Sequence, residues 1–95
     1  MSAYVVVEVD VENPEGYADY APLATESVAK HGGRFLARGG KTEQWEGEWS
    51  ARIVVLEFES LEAAHAWYCS DDYQAAAAIR QTHSRGRMVA VEGVT

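Results

Sequence analysis

Six residues with the types to do chemistry together fall on segments that read as helix faces: Tyr17, Tyr20, Trp67, Tyr68, Tyr73 and Arg80. Those faces converge over a sheet in the reading below, so the rings can wall a cleft. Aromatic walls with an arginine suit a small planar anion or a carbonyl compound. Arg80 would hold a carboxylate through its fork of N–H donors while a tyrosine hydroxyl orients a neighbouring oxygen. Arg38, from a hairpin arm, joins them as a further ligand-binding candidate. A plainer reading competes, in which the rings are core and their hydroxyls reach water or backbone carbonyls. No residue is assigned a catalytic role.

Other chemistries have less support. Histidine is the usual acid or base near neutral pH. His31 falls at a helix end, where the helix dipole stabilises a cation without any catalytic purpose. His65 and His83 have polar neighbours and read as surface residues, and the three histidines lie on separate elements without a metal-ligand spacing. No metal and no cofactor are expected. Gly32-Gly33 and Gly39-Gly40 open no helix, so they are not phosphate loops. Ser27, Ser50 and Ser60 lack the strand-to-helix elbow of a serine nucleophile. Arg38 and Arg52, near Glu8, Glu43 and Glu57 in the hairpin, read as ion-pair partners. Cys69 is the single cysteine and reads as a packed thiol.

The elements that must position these groups are legible from periodicity. Residues 3–11 alternate, with Val5, Val7, Val9 and Val11 on one face and Tyr4, Val6, Glu8 and Asp10 on the other, which is a strand pattern. Asn13-Pro14-Glu15 opens a helix that runs towards His31 on an inner stripe of Tyr17, Tyr20, Ala21, Ala24 and Val28, and Gly32-Gly33 stops it. Pro22 is expected to kink or split that helix, because its ring crowds the carbonyl of Ala18. A second strand over 34–38 meets a bulge or bend at Gly39-Gly40, and the hairpin continues outward through Trp45, turns at Glu46-Gly47-Glu48 and returns over 49–59. Ser60 and Ser70 cap two further helical pieces, with inner stripes Leu61, Ala64, Trp67, Tyr68 and Tyr73, Ala76, Ala77, Arg80. Gly86 is read as the helix breaker, and residues 88–92 as a last strand with Val89 and Val91 pointing into the core.

The order β-α-β-β-α-β is the split βαβ, ferredoxin-like arrangement of the α+β class: an antiparallel sheet with helices on one face. Its second face would carry Tyr4, Val6, Leu36, Ile53, Val55, Met88 and Ala90 mixed with Glu8, Asp10, Glu57, Glu92, Arg34 and Arg38. That face is too apolar to be wholly wet and too charged for a dry core, so a second copy of the chain is expected to cover it, with Trp45 and Trp49 at the contact. A merely amphipathic solvent face is the alternative.

Ninety-five residues without a linker read as one domain, residues 1–95, and a domain this short gains from a partner's surface. Fifteen acidic against eight basic residues give a formal charge of -7, which argues against nucleic acid and anionic membrane surfaces as partners. No stretch approaches a membrane span or a secretory leader, and the lone thiol fits a reducing compartment, so a cytoplasmic protein is expected.

With the elements placed, the chain resembles the family called domain of unknown function 1330, within the dimeric α+β-barrel superfamily. The likeness rests on Val9-Asp10 before a helix with Tyr17 and Tyr20, on His31-Gly32-Gly33-Arg34-Phe35-Leu36-Ala37-Arg38-Gly39-Gly40, on Trp67-Tyr68-Cys69-Ser70 with Tyr73-Gln74, and on Arg80 and Val91-Glu92-Gly93. Cys69 departs from the acidic or amide residue more usual there. The resemblance implies two sheets facing each other as a barrel with helices outside. It implies no chemistry, because superfamily relatives such as cofactor-independent monooxygenases and small-molecule isomerases share the fold only. Two functions stay open: a dimeric small-molecule binder or cofactor-free enzyme, and a non-catalytic dimerisation or protein-interaction module.

Overall fold

The computed structural model describes every residue from Met1 to Thr95. Alternating valines make β1 (Ala3–Val11) a central strand, buried at Ala3, Val5, Val7 and Val9 on one face. It pairs antiparallel with β3 (Arg52–Phe58) on one side and β4 (Ser84–Glu92) on the other, and β2 (Arg34–Arg38) completes a four-stranded sheet in the order β2-β3-β1-β4. This is the expected ferredoxin-like α+β topology. The inner face packs Val5, Val7, Val9, Leu56 and Phe58 against Val28, Ala64, Trp67, Tyr73, Ala76 and Ala77 from the helices. Each large apolar side chain so buried contributes about 1.5–3 kcal/mol.

The first crossover is split into α1 (Pro14–Tyr17) and α2 (Tyr20–Lys30). Asn13 caps α1, its Oδ1 accepting from the Gly16 amide at 3.4 Å, and Pro14 occupies a first-turn position where no amide is needed. A split was expected at Pro22, but the break comes earlier, at Ala18-Asp19. Pro22 is the third residue of α2, where its missing amide is one of those that a helix start leaves free anyway. The second crossover divides into α3 (Leu61–Cys69), capped by Ser60, and α4 (Asp71–His83), capped by Ser70. Both serine hydroxyls accept from amides three residues on, at 3.0 and 3.2 Å.

Three expectations about the sheet are corrected. First, β4 starts at Ser84, directly after α4, so Gly86 lies within it opposite Val9. A Cβ at 86 would strike the backbone of Glu8, which is why the strand has glycine there. With that register Met88 and Ala90 face the helices, and Val89 and Val91 turn to the outer face, 61% and 52% exposed. Second, a β-bulge between Phe35 and Ala37 adds a residue to β2. Arg34 stays on the outer face opposite Glu57, but Arg38 pairs with Val54 and so falls on the helix side. Third, the hairpin arms are short. Gly39 turns at φ 69°, and residues 39–51 form no strand. Gln44 holds that loop instead, donating to the Trp49 carbonyl at 3.1 Å and accepting from the Trp49 amide at 3.4 Å, while the Trp49 indole donates to the Glu46 carbonyl at 2.8 Å. Trp45 at the tip is 86% exposed.

The outer face therefore carries Tyr4, Val6, Glu8 and Asp10, Ile53, Val55 and Glu57, Arg85, Arg87, Val89 and Val91, and Arg34 and Ala37. Its carboxylates find donors within the chain: Glu8 accepts through Oε1 from Arg87 Nε at 2.9 Å, its Oε2 staying unpaired, Glu57 accepts from Arg34 Nε at 2.6 Å and Asp10 from the Ser50 hydroxyl at 3.0 Å.

Candidate functional site

The aromatic residues predicted to converge do so. Tyr73, wholly buried on α4, stacks on Trp67 of α3 at 4.0 Å between ring centroids, and Trp67 continues to Phe58 of β3 at 5.1 Å. On the other side the Tyr73 hydroxyl meets the Tyr20 hydroxyl at 2.9 Å, and Tyr20 lies 5.3 Å from Tyr17. Trp67 is fixed from behind, because its indole N–H donates to Ser27 Oγ at 3.1 Å while Ser27 itself donates to the Ala24 carbonyl at 2.9 Å. Burial above all, then the adjacent Tyr73 hydroxyl, holds the Tyr20 phenol above the ordinary tyrosine range. Tyr20 is thus a neutral donor and acceptor at any physiological pH.

The arginines divide into two groups. Of the six, Arg34, Arg85 and Arg87 form salt bridges with Glu57, Glu12 and Glu8. Arg38, Arg52 and Arg80 have no carboxylate partner, and all three line one interior cavity between sheet and helices. Arg80, 6% exposed, is brought there by the inner stripe of α4, and its Nε is buried with no hydrogen-bond partner. Arg52 is half-buried at the start of β3, and its Nε is also unpartnered. Arg38 lies over the Phe35 ring, 4.0 Å from its centroid, and donates from Nη2 to the Ala21 carbonyl at 3.2 Å. The expected pairing of Arg38 and Arg52 with Glu8, Glu43 and Glu57 is absent, because both arginines face the helices whereas Glu8 and Glu57 face outward.

Two spaces result. The cavity holding the arginines also has Tyr17, Tyr20 and Trp67 in its wall and a volume of about 30 Å3. On the other side of Trp67 and Met88, which wall both spaces, an open groove of about 1020 Å3 runs between α3 and β4, lined by Leu61, His65, Tyr68, Val89 and Ala90 among others. Of the predicted ligand-binding residues, Tyr17, Tyr20, Arg38, Trp67 and Arg80 come together in the inner cavity. Tyr68 lines only the groove, and Tyr73 lines neither but holds Tyr20 in place. Sequence reasoning set Arg52 aside as an ion-pair residue; its position at alternate spacing with Val54, Leu56 and Phe58 was the signal that it faces inward.

The histidines are spread over the surface. His31 Nε2 contacts Asp72 Oδ1 at 3.3 Å, and His65 lies 3.5 Å from the thiol of Cys69, which is exposed rather than packed because it falls on the outer side at the end of α3. His83 is more engaged than a surface residue. Its carbonyl accepts from the amides of Glu12 and Asn13 at 2.9 and 3.0 Å, and its ring covers Gly16, where a side chain would have to push the ring aside. No three His, Cys, Asp and Glu side chains gather at metal-binding distance, and no helix is long and apolar enough to cross a membrane.

Residues 2–94 match the model of the family described as Domain of unknown function (DUF1330). The chain belongs to that family. Solved structures share the DUF1330 protein's fold at low identity. A protein of unknown function from Rhodopseudomonas palustris, RPA0582, superposes with a TM-score of 0.79 at 16% identity, over 99% of this chain and 83% of that one. A dimeric ferredoxin-like protein of unknown function from Jannaschia sp. CCS1 gives 0.74 at 13%, over 98% and 100%. SnoaB, a cofactor-independent oxygenase from Streptomyces nogalater, gives 0.71 at 10%, over 99% and 94%. No curated protein matches the sequence.

Proposed function

We propose that this DUF1330 protein is a homodimer that binds a small aromatic or carboxylate/carbonyl metabolite between its sheet and helices, without a cofactor. The observation that carries the reading is Arg80: a residue only 6% exposed, its Nε buried and unpaired, in a cavity walled by Tyr17, Tyr20 and Trp67. A buried charge without a counterion is costly unless a ligand supplies one. The outer face supports the dimer, since Val6, Val55, Val89 and Val91 form an apolar band between ion pairs. Structural neighbours described as dimeric ferredoxin-like proteins are in keeping with it, and the likeness to SnoaB makes cofactor-free turnover a coherent use of the same cleft.

A second reading is favoured by one observation. The inner cavity of about 30 Å3 holds little more than a water, as it would if the rings were packing and the protein a dimerisation module. Thermal unfolding across a library of aromatic acids and carbonyl compounds separates the two. A ligand at a hundredfold excess over its Kd stabilises by about 2.7 kcal/mol, which for a domain of this size raises Tm by roughly 4–8 °C per kcal/mol. The first reading expects such a shift in wild type, reduced in Tyr73→Phe and abolished in Arg80→Ala. A library without any hit favours the second. Light scattering at micromolar concentration is expected to give twice the chain mass.

A further inference from the structure

Aromatic, carbonyl and carboxylate ligands differ in charge, and the arginines choose among them. We infer that Arg38, Arg52 and Arg80 form a single anion site, with Arg52 as a ligand-binding residue, and that its ligand is a small dicarboxylate. The inference rests on the binding reading above and narrows it.

Fifteen acidic residues stand against eight basic ones in this chain, so carboxylate partners are abundant. The outer arginines have all found one. The inner three come from separate elements, β2, β3 and α4, onto one cavity whose wall contains no Asp or Glu. Arg80 is buried and Arg52 half-buried on the same cavity without an anion, which opposes folding, so their convergence with Arg38 calls for a counterion from outside. Local features maintain it. The bulge in β2 turns Arg38 inward, and Gly39 leaves room for Arg52, whose Cζ would stand 2.9 Å from a Cβ at that position. Because Gly39 has positive φ, a side chain there would strain the backbone and would also push the Arg52 guanidinium aside.

The three guanidiniums are graded in depth, with Arg80 at the floor, Arg52 half-buried and Arg38 exposed at the mouth. Each is a planar fork suited to bidentate contact with a carboxylate, and three forks offer more donors than one carboxylate can accept. Two carboxylates on a short scaffold match them, one reaching Arg80 and Arg52 and the other held by Arg38 at the entrance. The wall adds the hydroxyls of Tyr17 and Tyr20 and apolar surface but no carboxylate, so it offers a cationic ligand no counter-charge. The closed cavity is too small for such a molecule, and the contact from Arg38 to the Ala21 carbonyl, which ties the end of β2 to α2, is the latch that must open. Arg38 would then exchange that carbonyl for the ligand.

Isothermal titration at constant ionic strength tests this on the intact protein, with phthalate and malonate as dicarboxylates, benzoate and acetate as monocarboxylates, inorganic phosphate, and neutral benzamide. A dicarboxylate is expected to bind at least tenfold more tightly than its monocarboxylate counterpart. Its affinity should fall with added salt, drop at least tenfold in Arg52→Gln, and be unchanged in Arg34→Gln on the outer face. Should Arg80→Met fail to fold, Arg52→Gln still decides, with its fold checked by circular dichroism. Tight binding of benzamide or benzoate that Arg52→Gln leaves intact would overturn the dicarboxylate site while leaving a small-molecule binder standing. Phosphate in preference to every carboxylate would overturn the ligand class. If none of the probes binds, the site as drawn is wrong, and the wider library above then decides whether any binder remains.

Discussion

The two sides of this sheet use the same cation in opposite ways. On the outer side Arg34 and Arg87 reach across neighbouring strands to carboxylates 2.6 and 2.9 Å away, and each guanidinium is largely in water. On the inner side Arg52 and Arg80 have buried Nε atoms and no acid in reach, although the chain carries a formal charge of -7. Surface pairs of the first kind contribute about 0–1 kcal/mol and explain themselves. Groups of the second kind subtract from stability in the free protein, and their presence is informative about function. A cation count over the whole chain would miss this, because the distinction lies in which face each strand position occupies.

The comparison can be stressed most heavily at Trp67, which separates the inner cavity from the groove beside α3. Trp67→Ala is expected to cost about 3–5 kcal/mol in urea unfolding and to join the two spaces. A loss below about 1 kcal/mol would mean that the wall is not packed as described. Without ligand, Arg80→Met is expected to leave stability unchanged or raise it by about 1–3 kcal/mol, since it removes an unpaired buried charge and keeps much of the volume. Arg34→Gln is expected to cost no more than about 1 kcal/mol. If Arg80→Met is the more destabilising of the two, Arg80 has a structural counterion and the contrast fails. The smallest effect lies outside both regions, at Asp72, whose carboxyl is held below its ordinary value of 3.8 by the Ser70 hydroxyl first and by His31. A depressed carboxyl stabilises above its unfolded pKa and stops doing so as pH falls through the folded one. The Tm difference between wild type and Asp72→Asn should therefore be present at neutral pH and vanish on acidification below the ordinary value.

Much of the fold was legible because it is local. The valine alternation of β1, the caps at Asn13, Ser60 and Ser70, and the α4 stripe through Tyr73, Ala76, Ala77 and Arg80 all act within a few residues, and each is found as expected. The aromatic half of the site followed from those stripes. What escaped depends on distant chain. The end of α4 is set where His83 meets Gly16, Glu12 and Asn13, about 70 residues away in sequence, and the Ser84 hydroxyl donates to the Arg80 carbonyl at the same point. With the strand start misplaced, Val89 and Val91 were assigned to the wrong face. The bulge in β2 is likewise a property of its pairing with β3, and no residue type near Leu36 announces it.

That bulge gives the cleft an unusual kind of adjustability. Drawing Leu36 into register opposite Val55 would leave every residue of β2 in place, yet rotate Arg38 to the solvent face and take Ala37 inward. In this protein the number of positive charges confronting a guest is thus encoded in strand register as well as in composition. A one-residue slip in the pairing of β2 would retune what the cleft accepts, with no arginine gained or lost.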